Sequence, residues 1–336
     1  MKVLVVKLSS LGDVVHTFPA LTDAMAAVPH LELDWAVEEA FAPVARLHPA
    51  VRRVIEVPLR RLLRKPVQAL RGAEAAMVRA ALQAERYEVV IDAQGLLKSA
   101  GVALLASGAR HGFDRTSARE GLAAVSYHQR HHVPEVEHMA VRIRKLFAAA
   151  LGYRLEGRAA DSGLRPAPVA GAAPYLVYLH GTTWPTKTWT LAGWRALAER
   201  AGGQGQEVLL FSHGDGELAR AEAIAEGLPQ VRLLPPQTLE TLAPVLAGAA
   251  GVVSVDTGLG HLAAAYGVAT VGLYGPTNPR LTGLFGARAV ELKARRACAP
   301  CEKATCRIAP ETREGPPCLA DHSAAEVWQA LERLRS

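Results

Sequence analysis

Residues 252–265 read VVSVDTGLGHLAAA: a short apolar run, a polar turn and an apolar segment that begins among glycines. The small and β-branched residues 252–255 predict a buried strand. A turn of the type Asp256-Thr257-Gly258 aims backbone amides and a helix N-terminus at one point, which suits an anion such as phosphate. Asp256 and Thr257 are also ordinary helix-capping residues. Alone, this stretch is compatible with a phosphate site or with a capped helix.

The rest of the chain repeats this alternation of strand and helix. A stretch rich in Ala, Pro and Gly at 154–174 separates two halves of similar pattern and predicts a linker. Alternating strands and helices predict an α/β fold with parallel sheets, here two Rossmann-like lobes facing a cleft. The predicted strands are residues 2–7, 33–37, 54–57, 89–92, 175–179, 206–211, 231–234, 252–255 and 269–273. The predicted segments are a first lobe 1–155, a linker 156–173, a second lobe 174–322 and a C-terminal helix 323–336 that packs onto the first lobe.

Composition restricts the kind of partner. The chain has 336 residues, a formal net charge of +6 and only 5% aromatic residues. A basic balance favours anionic partners, and the lack of aromatic residues among basic ones argues against a nucleic-acid binder. The N-terminus lacks a signal-peptide cleavage pattern, and no apolar run approaches the roughly 18 residues of a membrane span. We therefore expect a cytoplasmic protein with a phosphorylated ligand or an anionic membrane surface as partner.

Asp13 is the leading candidate for chemistry in the first half. It follows the first predicted strand, directly after Gly12 and at a predicted helix start, so it either caps the helix or acts as a general base. Ser9 and Ser10 before it either bind a substrate or satisfy the turn. Basic residues of this half form either a solvated surface or a dock for a polyanionic acceptor at a membrane: Arg60, Arg61, Arg64 and Lys65, with Lys98 and Arg119.

A loop after the strand at 175–179 carries Thr182, Thr183 and Lys187, whose hydroxyls and cation suit phosphate. It is otherwise a solvated loop. Residues 181–188 approach a P-loop, but Thr186 stands where the second glycine is required. Two such loops in one half favour a nucleotide diphosphate. Glu217, after another strand, either accepts from ribose hydroxyls or is a favourable first-turn acid.

Four cysteines, all in one Pro-rich segment, follow the last predicted strand. A Cys-x2-Cys pair with two further cysteines in a cytosolic protein is more typical of a structural zinc site than of disulfides. The later spacing is irregular, so the zinc site stays one hypothesis for these residues: Cys298, Cys301, Cys306 and Cys318.

Five motifs together resemble the ADP-heptose:lipopolysaccharide heptosyltransferases: KLSSLGDVVHT at 7–17, DWAVEE at 34–39, IDAQGLLKS at 91–99, HGTT at 180–183 and SVDTGLGH at 254–261. The resemblance runs over nearly the whole chain. It implies an inverting, metal-independent glycosyltransferase of the GT-B type, with an acceptor-binding first lobe and a donor-binding second lobe. Such an enzyme moves L-glycero-D-manno-heptose from ADP-heptose to the first Kdo of Kdo–lipid A. It would be monomeric and peripheral on the cytoplasmic face of the inner membrane.

The resemblance also implies roles for individual residues. Asp13 would be the general base, and Lys187 would oppose the charge of the leaving ADP. The donor would be held by Thr182, Thr183, Lys187, Glu217, Asp256, Thr257, Gly258 and His261. The acceptor would be held by Ser9, Ser10, Gly12, Arg60, Arg61, Arg64, Lys98 and Arg119.

The cysteine segment is the one departure. It looks more like the branch of the family that adds heptose to heptose. The first lobe matches the branch that adds heptose to Kdo, which we favour because that lobe would bind the acceptor. Two further kinds of protein are compatible with the pattern: a nucleotide-sugar epimerase of the same fold, and a non-catalytic protein that binds a nucleotide sugar or a lipid anchor.

Overall fold

The computed structural model describes residues 1–64, 72–166, 173–309 and 315–336, without the side chains of residues 63 and 64. The chain forms two compact units, Met1–Leu164 and Arg165–Ser336. The first part of the expected linker therefore belongs to the first unit. Leu164 is buried there, and Arg144 donates to the carbonyl of Arg158. No helix in the described parts of the chain is long and apolar enough to cross a bilayer.

The first unit is built on a six-stranded parallel sheet with the order β3-β2-β1-β4-β5-β6. Its strands are β1 Lys2–Val6, β2 Glu32–Glu38, β3 Val51–Val57, β4 Val89–Asp92, β5 Ala109–Phe113 and β6 Gln129–His131. The order reverses between β1 and β4. Ligands of open parallel sheets bind beyond the carboxyl ends of the strands at such a reversal, and here those ends lead into Lys7 and Ala93.

The helices of the first unit include a break that the sequence pattern did not indicate. The apolar spacing predicts one helix from residue 14 to 28, but two helices form. Pro19 sits at the second position of the later helix, where its missing amide is tolerated but would interrupt a longer one. The helices are Leu11–Val15, Phe18–Ala27, Ala42–Ala45, Leu59–Arg64, Ala73–Gln83, Leu97–Leu105 and Met139–Leu151, with 3-10 turns at Glu39–Phe41 and Gly121–Ser126.

The second unit repeats this plan, with the strand order β12-β11-β10-β7-β8-β9. Its strands are β7 Tyr175–Leu179, β8 Glu207–Leu210, β9 Val231–Leu233, β10 Gly251–Val255, β11 Thr270–Tyr274 and β12 Ala289–Lys293. The order reverses between β7 and β10, so the loops that begin at His180 and Asp256 meet at one edge. The helices are Leu191–Gly203, Asp215–Ala225, Leu239–Ala247, Gly258–Ala265, Pro279–Thr282, Pro317–Ala320 and Ala324–Arg335, with a 3-10 turn at Pro185–Lys187.

The C-terminal helix Ala324–Arg335 corrects one expectation. Its apolar side chains Val327, Trp328 and Leu331 are buried in the core of the second unit, and it packs on β10, β11 and β12. Gly251 leaves room for it, because a methyl group there would lie 2.9 Å from Leu331 Cδ1. The helix is thus part of the second unit, whereas the sequence pattern predicts that it packs onto the first lobe.

Candidate functional site

Asp13 lies where β1 leads into the helix Leu11–Val15. The side chain closes a capping box, because its Oδ2 accepts from the Ser10 amide at 2.9 Å and from the Ser10 hydroxyl at 3.0 Å. Its other oxygen, Oδ1, is 3.3 Å from the ammonium of Lys7, a residue that is only 2% exposed. The carboxylate itself stays 24% exposed. Asp13 therefore caps the helix and also presents an ionised group to solvent.

The charge of Asp13 is fixed by its neighbours. Burial alone would raise the pKa of this carboxyl, but the Lys7 ammonium and the hydrogen bonds from Ser10 lower the pKa to about 2. Lys7 is held in place by donating to the carbonyl of Ala93 at 3.2 Å. The side chain of Asp13 is thus a carboxylate, able to accept a proton, throughout the physiological pH range.

A second acid, Asp92, orders the loop that follows β4, the strand that pairs with β1. It is fully buried at the end of β4. It accepts from the amides of Gln94 and Gly95, from the Ser99 hydroxyl at 2.8 Å and from the Tyr127 hydroxyl at 2.7 Å. Four donors are what a buried carboxylate needs in order to be tolerated. Asp92 stands in the motif at 91–99, and its sequence pattern indicates no such role.

This loop brings the polar groups of the first unit together. Gln94 accepts from the Leu8 amide at 2.7 Å, and Lys98 donates to the Ser9 hydroxyl at 3.0 Å. A cavity of about 30 Å³, room for a single water molecule, is lined by Lys7, Ser9, Asp13, Gln94, Leu96, Phe113, Ser117, Arg119, Met139 and Arg142. Of the predicted acceptor residues, Ser10 therefore contacts the predicted base, Ser9 and Arg119 line its cavity, and Lys98 reaches it through Ser9. Gly12 is buried within the helix.

Arg142 is a functional candidate that no sequence motif indicates. It is 7% exposed, its guanidinium stacks 5.0 Å from the centre of the Phe113 ring, and it donates to the carbonyl of Ser117. Its Nε has no hydrogen-bond partner among the described residues. Burial lowers the pKa of this arginine. The sequence feature that could have identified Arg142 is its position on the buried face of the helix Met139–Leu151.

The basic residues near position 60 contact other side chains of the first unit. Arg61 forms ion pairs with Glu39 at 2.7 Å and with Glu74 at 3.1 Å, and the Arg60 guanidinium lies over the Phe41 ring. Neither lines the cavity beside Asp13. The helix Leu59–Arg64 contains Arg64, whose side chain is not described, and Lys65 lies outside the described residues.

Asp256 is the centre of the predicted donor site in the second unit. Its Oδ2 is 2.7 Å from the Lys187 ammonium and accepts from the Thr277 hydroxyl at 2.6 Å, while Oδ1 lies 3.6 Å from His261 Nε2. Burial would raise the pKa of Asp256, but His261 and Lys187 outweigh it and keep the pKa well below its usual range. The carboxylate is thus occupied in holding Lys187. The Lys187 ammonium also lies 4.7 Å from the centre of the Trp184 ring.

The helix Gly258–Ala265 begins beside this ion pair. Thr257 occupies the capping position, but its side chain makes no capping hydrogen bond. Thr257 is thus the N-cap residue without capping through its side chain, and the Asp256 carboxylate pairs with Lys187 instead of the helix amides. The amides of Gly258 and Leu259 cannot be satisfied within the helix and remain suited to an anion. Gly260 lets the helix approach β10, since a methyl group there would lie 2.4 Å from Ser254 Oγ.

The loop after β7 supplies the hydroxyl groups. Thr182 is half-buried and Thr183 is exposed. Glu217 lies against this loop: a methyl group on Gly181 would come within 2.5 Å of its carboxyl, and its Oε2 accepts from the His213 amide at 2.8 Å. The structure thus brings Glu217 to the start of the Thr182–Lys187 loop, at the same sheet edge as the Lys187–Asp256 pair.

Known proteins of similar sequence identify the family of this chain. The family model described as glycosyltransferase family 9 (heptosyltransferase) matches residues 76–311, which is more than half of the chain. The chain belongs to glycosyltransferase family 9. It is 46% identical to the lipopolysaccharide heptosyltransferase 1 of Pseudomonas aeruginosa over 99% of this chain and 98% of that protein. It is 44% identical to that of Escherichia coli K12, over 88% of this chain and 94% of that protein.

Solved structures agree with this family 9 assignment. The chain matches "E. coli heptosyltransferase WaaC with ADP" with a TM-score of 0.88 and 40% identity, over 99% of this chain and 100% of that one. The fold prediction, two Rossmann-like parallel-sheet units of GT-B type, and the prediction of a glycosyltransferase are thereby confirmed. The E. coli ADP-heptose heptosyltransferase II structure, at 20% identity and a TM-score of 0.79, shares the fold.

The cysteines of this family 9 chain gather in one place. All four line a cavity of about 190 Å³, together with Thr186 and Lys303, and none forms a disulfide. Burial and the other three sulfurs raise the pKa of the Cys318 thiol. Within the described residues, no three His, Cys, Asp or Glu side chains form a group that could hold a metal ion. The zinc site stays a hypothesis for these four thiols.

Proposed function

We propose that this glycosyltransferase moves L-glycero-D-manno-heptose from ADP-heptose to the first Kdo of Kdo–lipid A, with inversion at the anomeric carbon. The observation that carries the proposal is an ionised, partly exposed Asp13 that pairs with Lys7 in a cavity also lined by Arg119 and Arg142. The chain-long likeness to proteins named lipopolysaccharide heptosyltransferase 1 supports it. So does a likeness to E. coli WaaC solved with ADP-2-deoxy-2-fluoro heptose, at 40% identity and a TM-score of 0.86 over 99% of both chains.

The second unit would bind the donor. Lys187 would face the diphosphate, helped by the hydroxyls of Thr182 and Thr183 and by the amides at Gly258. Asp256 would act indirectly, since a carboxylate repels phosphate; its part is to hold Lys187 and His261 in position. Glu217 would meet the ribose hydroxyls. As the bond from the anomeric carbon to ADP breaks, the developing negative charge would be met by Lys187 and the backbone donors, so transfer would need no metal.

The first unit would bind the acceptor and supply the base. The Kdo hydroxyl would form the new bond to the anomeric carbon, and its proton would pass to Asp13, leaving ADP as the other product. A carboxyl with a pKa of about 2 is a weak base in the free enzyme, so its proton affinity has to rise when substrate displaces water or loosens the Lys7 contact. Lys98, Arg119 and Arg142 would pair with the carboxylate of the acceptor sugar.

The proposed acceptor carries lipid chains, so the enzyme would meet it at a membrane. We expect the protein to act at the cytoplasmic face of the inner membrane as a peripheral protein. The alternative acceptor is a heptose already present on the core, as in the second enzyme of the family. The 44–46% identity over most of the chain to proteins named heptosyltransferase 1 favours Kdo.

An Asp13→Asn variant tests the chemical assignment. It should bind ADP-heptose as the wild type does, because Asp13 lies in the acceptor-binding unit, yet lose about 10²–10⁴-fold in turnover with Kdo–lipid A, the usual effect of removing a general base. The control is Ser10→Ala, which removes the hydroxyl contact to Asp13 and leaves the carboxylate. Turnover by Asp13→Asn at the wild-type rate would remove Asp13 as the base.

A further inference from the structure

One face of the first unit carries large apolar side chains in solvent. The helix Leu97–Leu105 exposes Leu97 (53%) and Leu104 (52%), with Gly101 exposed between them. This spacing of four and three residues places all three on one helix face. The 3-10 turn Gly121–Ser126 exposes Leu122 (64%) and Val125 (74%). Single exposed apolar residues are ordinary, but a contiguous set calls for an explanation.

The helix and the turn form one surface. They pack together through the buried residues Ala100, Ala123, Ala124 and Tyr127. Glu120, just before the turn, accepts from the Leu97 amide at 2.6 Å, and its own amide donates to the Gly95 carbonyl at 3.0 Å. The turn is therefore fixed on the helix by its small residues, while its two large residues, Leu122 and Val125, point outward.

Arginines frame this turn. Arg110 Nε donates to the Ser126 carbonyl at 2.8 Å, and Arg130 Nε donates to the Ala124 carbonyl at 2.9 Å. Arg115 lies beside the start of the turn, where a methyl group on Gly121 would come within 3.1 Å of its Cγ. Arg119 directly precedes Glu120. Across the described residues, none of these four arginines forms an ion pair with an acid, in contrast to Arg61 or Arg52.

We propose that this face, the Leu122 surface (Leu97, Leu104, Leu122 and Val125 with Arg110, Arg115 and Arg130), docks on an anionic phospholipid bilayer. Leu122 and Val125 enter the boundary between headgroups and acyl chains, and the guanidinium groups pair with lipid phosphates. Exposed apolar side chains beside cations that have no ion-pair partner among the described residues match a partner with a negatively charged surface and an apolar interior. The inference rests on the proposed function, because it names where the membrane that carries the acceptor is held.

The position of the surface fits that role. Arg119 lines the same cavity as Asp13, and Lys98, next to Leu97, donates to the Ser9 hydroxyl. A bilayer held at Leu122 therefore lies beside the entrance to the group that would deprotonate the acceptor. Docking there keeps the lipid chains in the membrane and requires only the sugar to reach Asp13.

Vesicle sedimentation with the full-length protein tests the inference without sugar substrates. The protein should co-sediment with vesicles of phosphatidylglycerol and phosphatidylethanolamine far better than with phosphatidylcholine vesicles, and less as salt is raised. Leu122→Asp combined with Val125→Asp should weaken vesicle binding at least about tenfold, since it places two charges in the apolar boundary. Arg115→Glu should weaken it several-fold, at about a factor of five for each cationic charge lost. Met25→Asp, at another exposed apolar position of the unit, is the matched control and should bind as the wild type.

Two readouts separate failure of this inference from failure of the proposed function. The Leu122→Asp, Val125→Asp protein should transfer heptose to a deacylated, water-soluble Kdo acceptor at the wild-type rate and to vesicle-borne Kdo–lipid A more slowly. Unchanged vesicle binding by this variant would overturn the docking surface, even if transfer to Kdo is observed. A change of oligomeric state in gel filtration without a change in vesicle binding would also overturn it, in favour of a contact between two copies of the chain.

Discussion

Replacing Lys7 by methionine should raise the pKa of Asp13 by about two units, with visible consequences for activity. Lys7 is buried, and its ammonium lies 3.3 Å from Asp13 Oδ1. Methionine has similar length and no charge, so the substitution removes the cation and keeps most of the packing. The lost contact to the Ala93 carbonyl leaves one acceptor unpaired, which adds a modest cost to folding.

The magnitude follows from the distance. Two unit charges 3.3 Å apart interact by about 5 kcal/mol at an effective dielectric constant of about 20. The carboxylate is partly exposed, so water screens a share of this. The pKa of Asp13 now stands at about 2; recovery of about two units, some 2.7 kcal/mol, would return it to the ordinary aspartate range or above, since burial then acts unopposed by Lys7.

Both the activity and the stability of the fold should fall at low pH, where Asp13 becomes protonated. Asp13 must be ionised to accept a proton, so in the wild type it limits kcat/KM only near pH 2, whereas in Lys7→Met this acid limb should move up by about two pH units. Because the folded pKa lies below the unfolded one, the pair stabilises the fold above about pH 4. That stabilisation disappears as the pH falls towards 2, and Lys7→Met should lack it.

Carbon-13 NMR of labelled aspartate carboxyls measures this pKa directly, with Asp13→Asn to assign the signal. Lys7→Arg is the control and should keep the pKa low, because it keeps the charge. A pKa of Asp13 that stays near 2 in Lys7→Met would refute the role of Lys7, since the shift would then have another origin.

Three further predictions concern the other groups. Lys187→Met should weaken ADP binding in titration calorimetry by about 10–100-fold, as expected for a hydrogen bond to a charged group; unchanged affinity would exclude a phosphate contact. Asp92→Ala should lower the free energy of unfolding in urea by about 3 kcal/mol or more, because four buried donors lose their acceptor, while Tyr127→Phe should cost about 1 kcal/mol; equal effects would contradict the network. Arg142→Met should raise KM for the acceptor about tenfold or more with ADP affinity intact, and a loss of ADP affinity instead would argue for a structural role.

The alternation of apolar strands with helices in the sequence predicts most of the fold. Central parallel strands are recognisable because they are buried on both faces and must be apolar. The sequence pattern did not predict strands β5 (ARHGF) and β6 (QRH). They lie towards one edge of the first sheet, where polar side chains are tolerated. Backbone pairing sets their conformation, of β5 with β4 and of β6 with β5. β12 (AVELK), at an edge of the second sheet, was not predicted for the same reason.

The candidate site was predictable where it depended on strand ends. Asp13, Lys187 and Asp256 each follow a strand, and their sheet positions follow from topology. Their partners were not predictable, because pairs such as Asp92 with Tyr127, 35 residues apart, leave no local pattern. Asp256 illustrates this limit: its motif predicts a contact with the donor but gives no sign of the ion pair with Lys187, 69 positions earlier in the chain.

A transfer assay with purified protein, ADP-heptose and two acceptors tests the central claim most directly. The acceptors are Kdo–lipid A and Kdo–lipid A that already carries one heptose. We predict that heptose is added, with ADP released in equal amount, to the acceptor without heptose and not to the other. Transfer only to the heptose-bearing acceptor, or consumption of ADP-heptose without any acceptor, would contradict this claim.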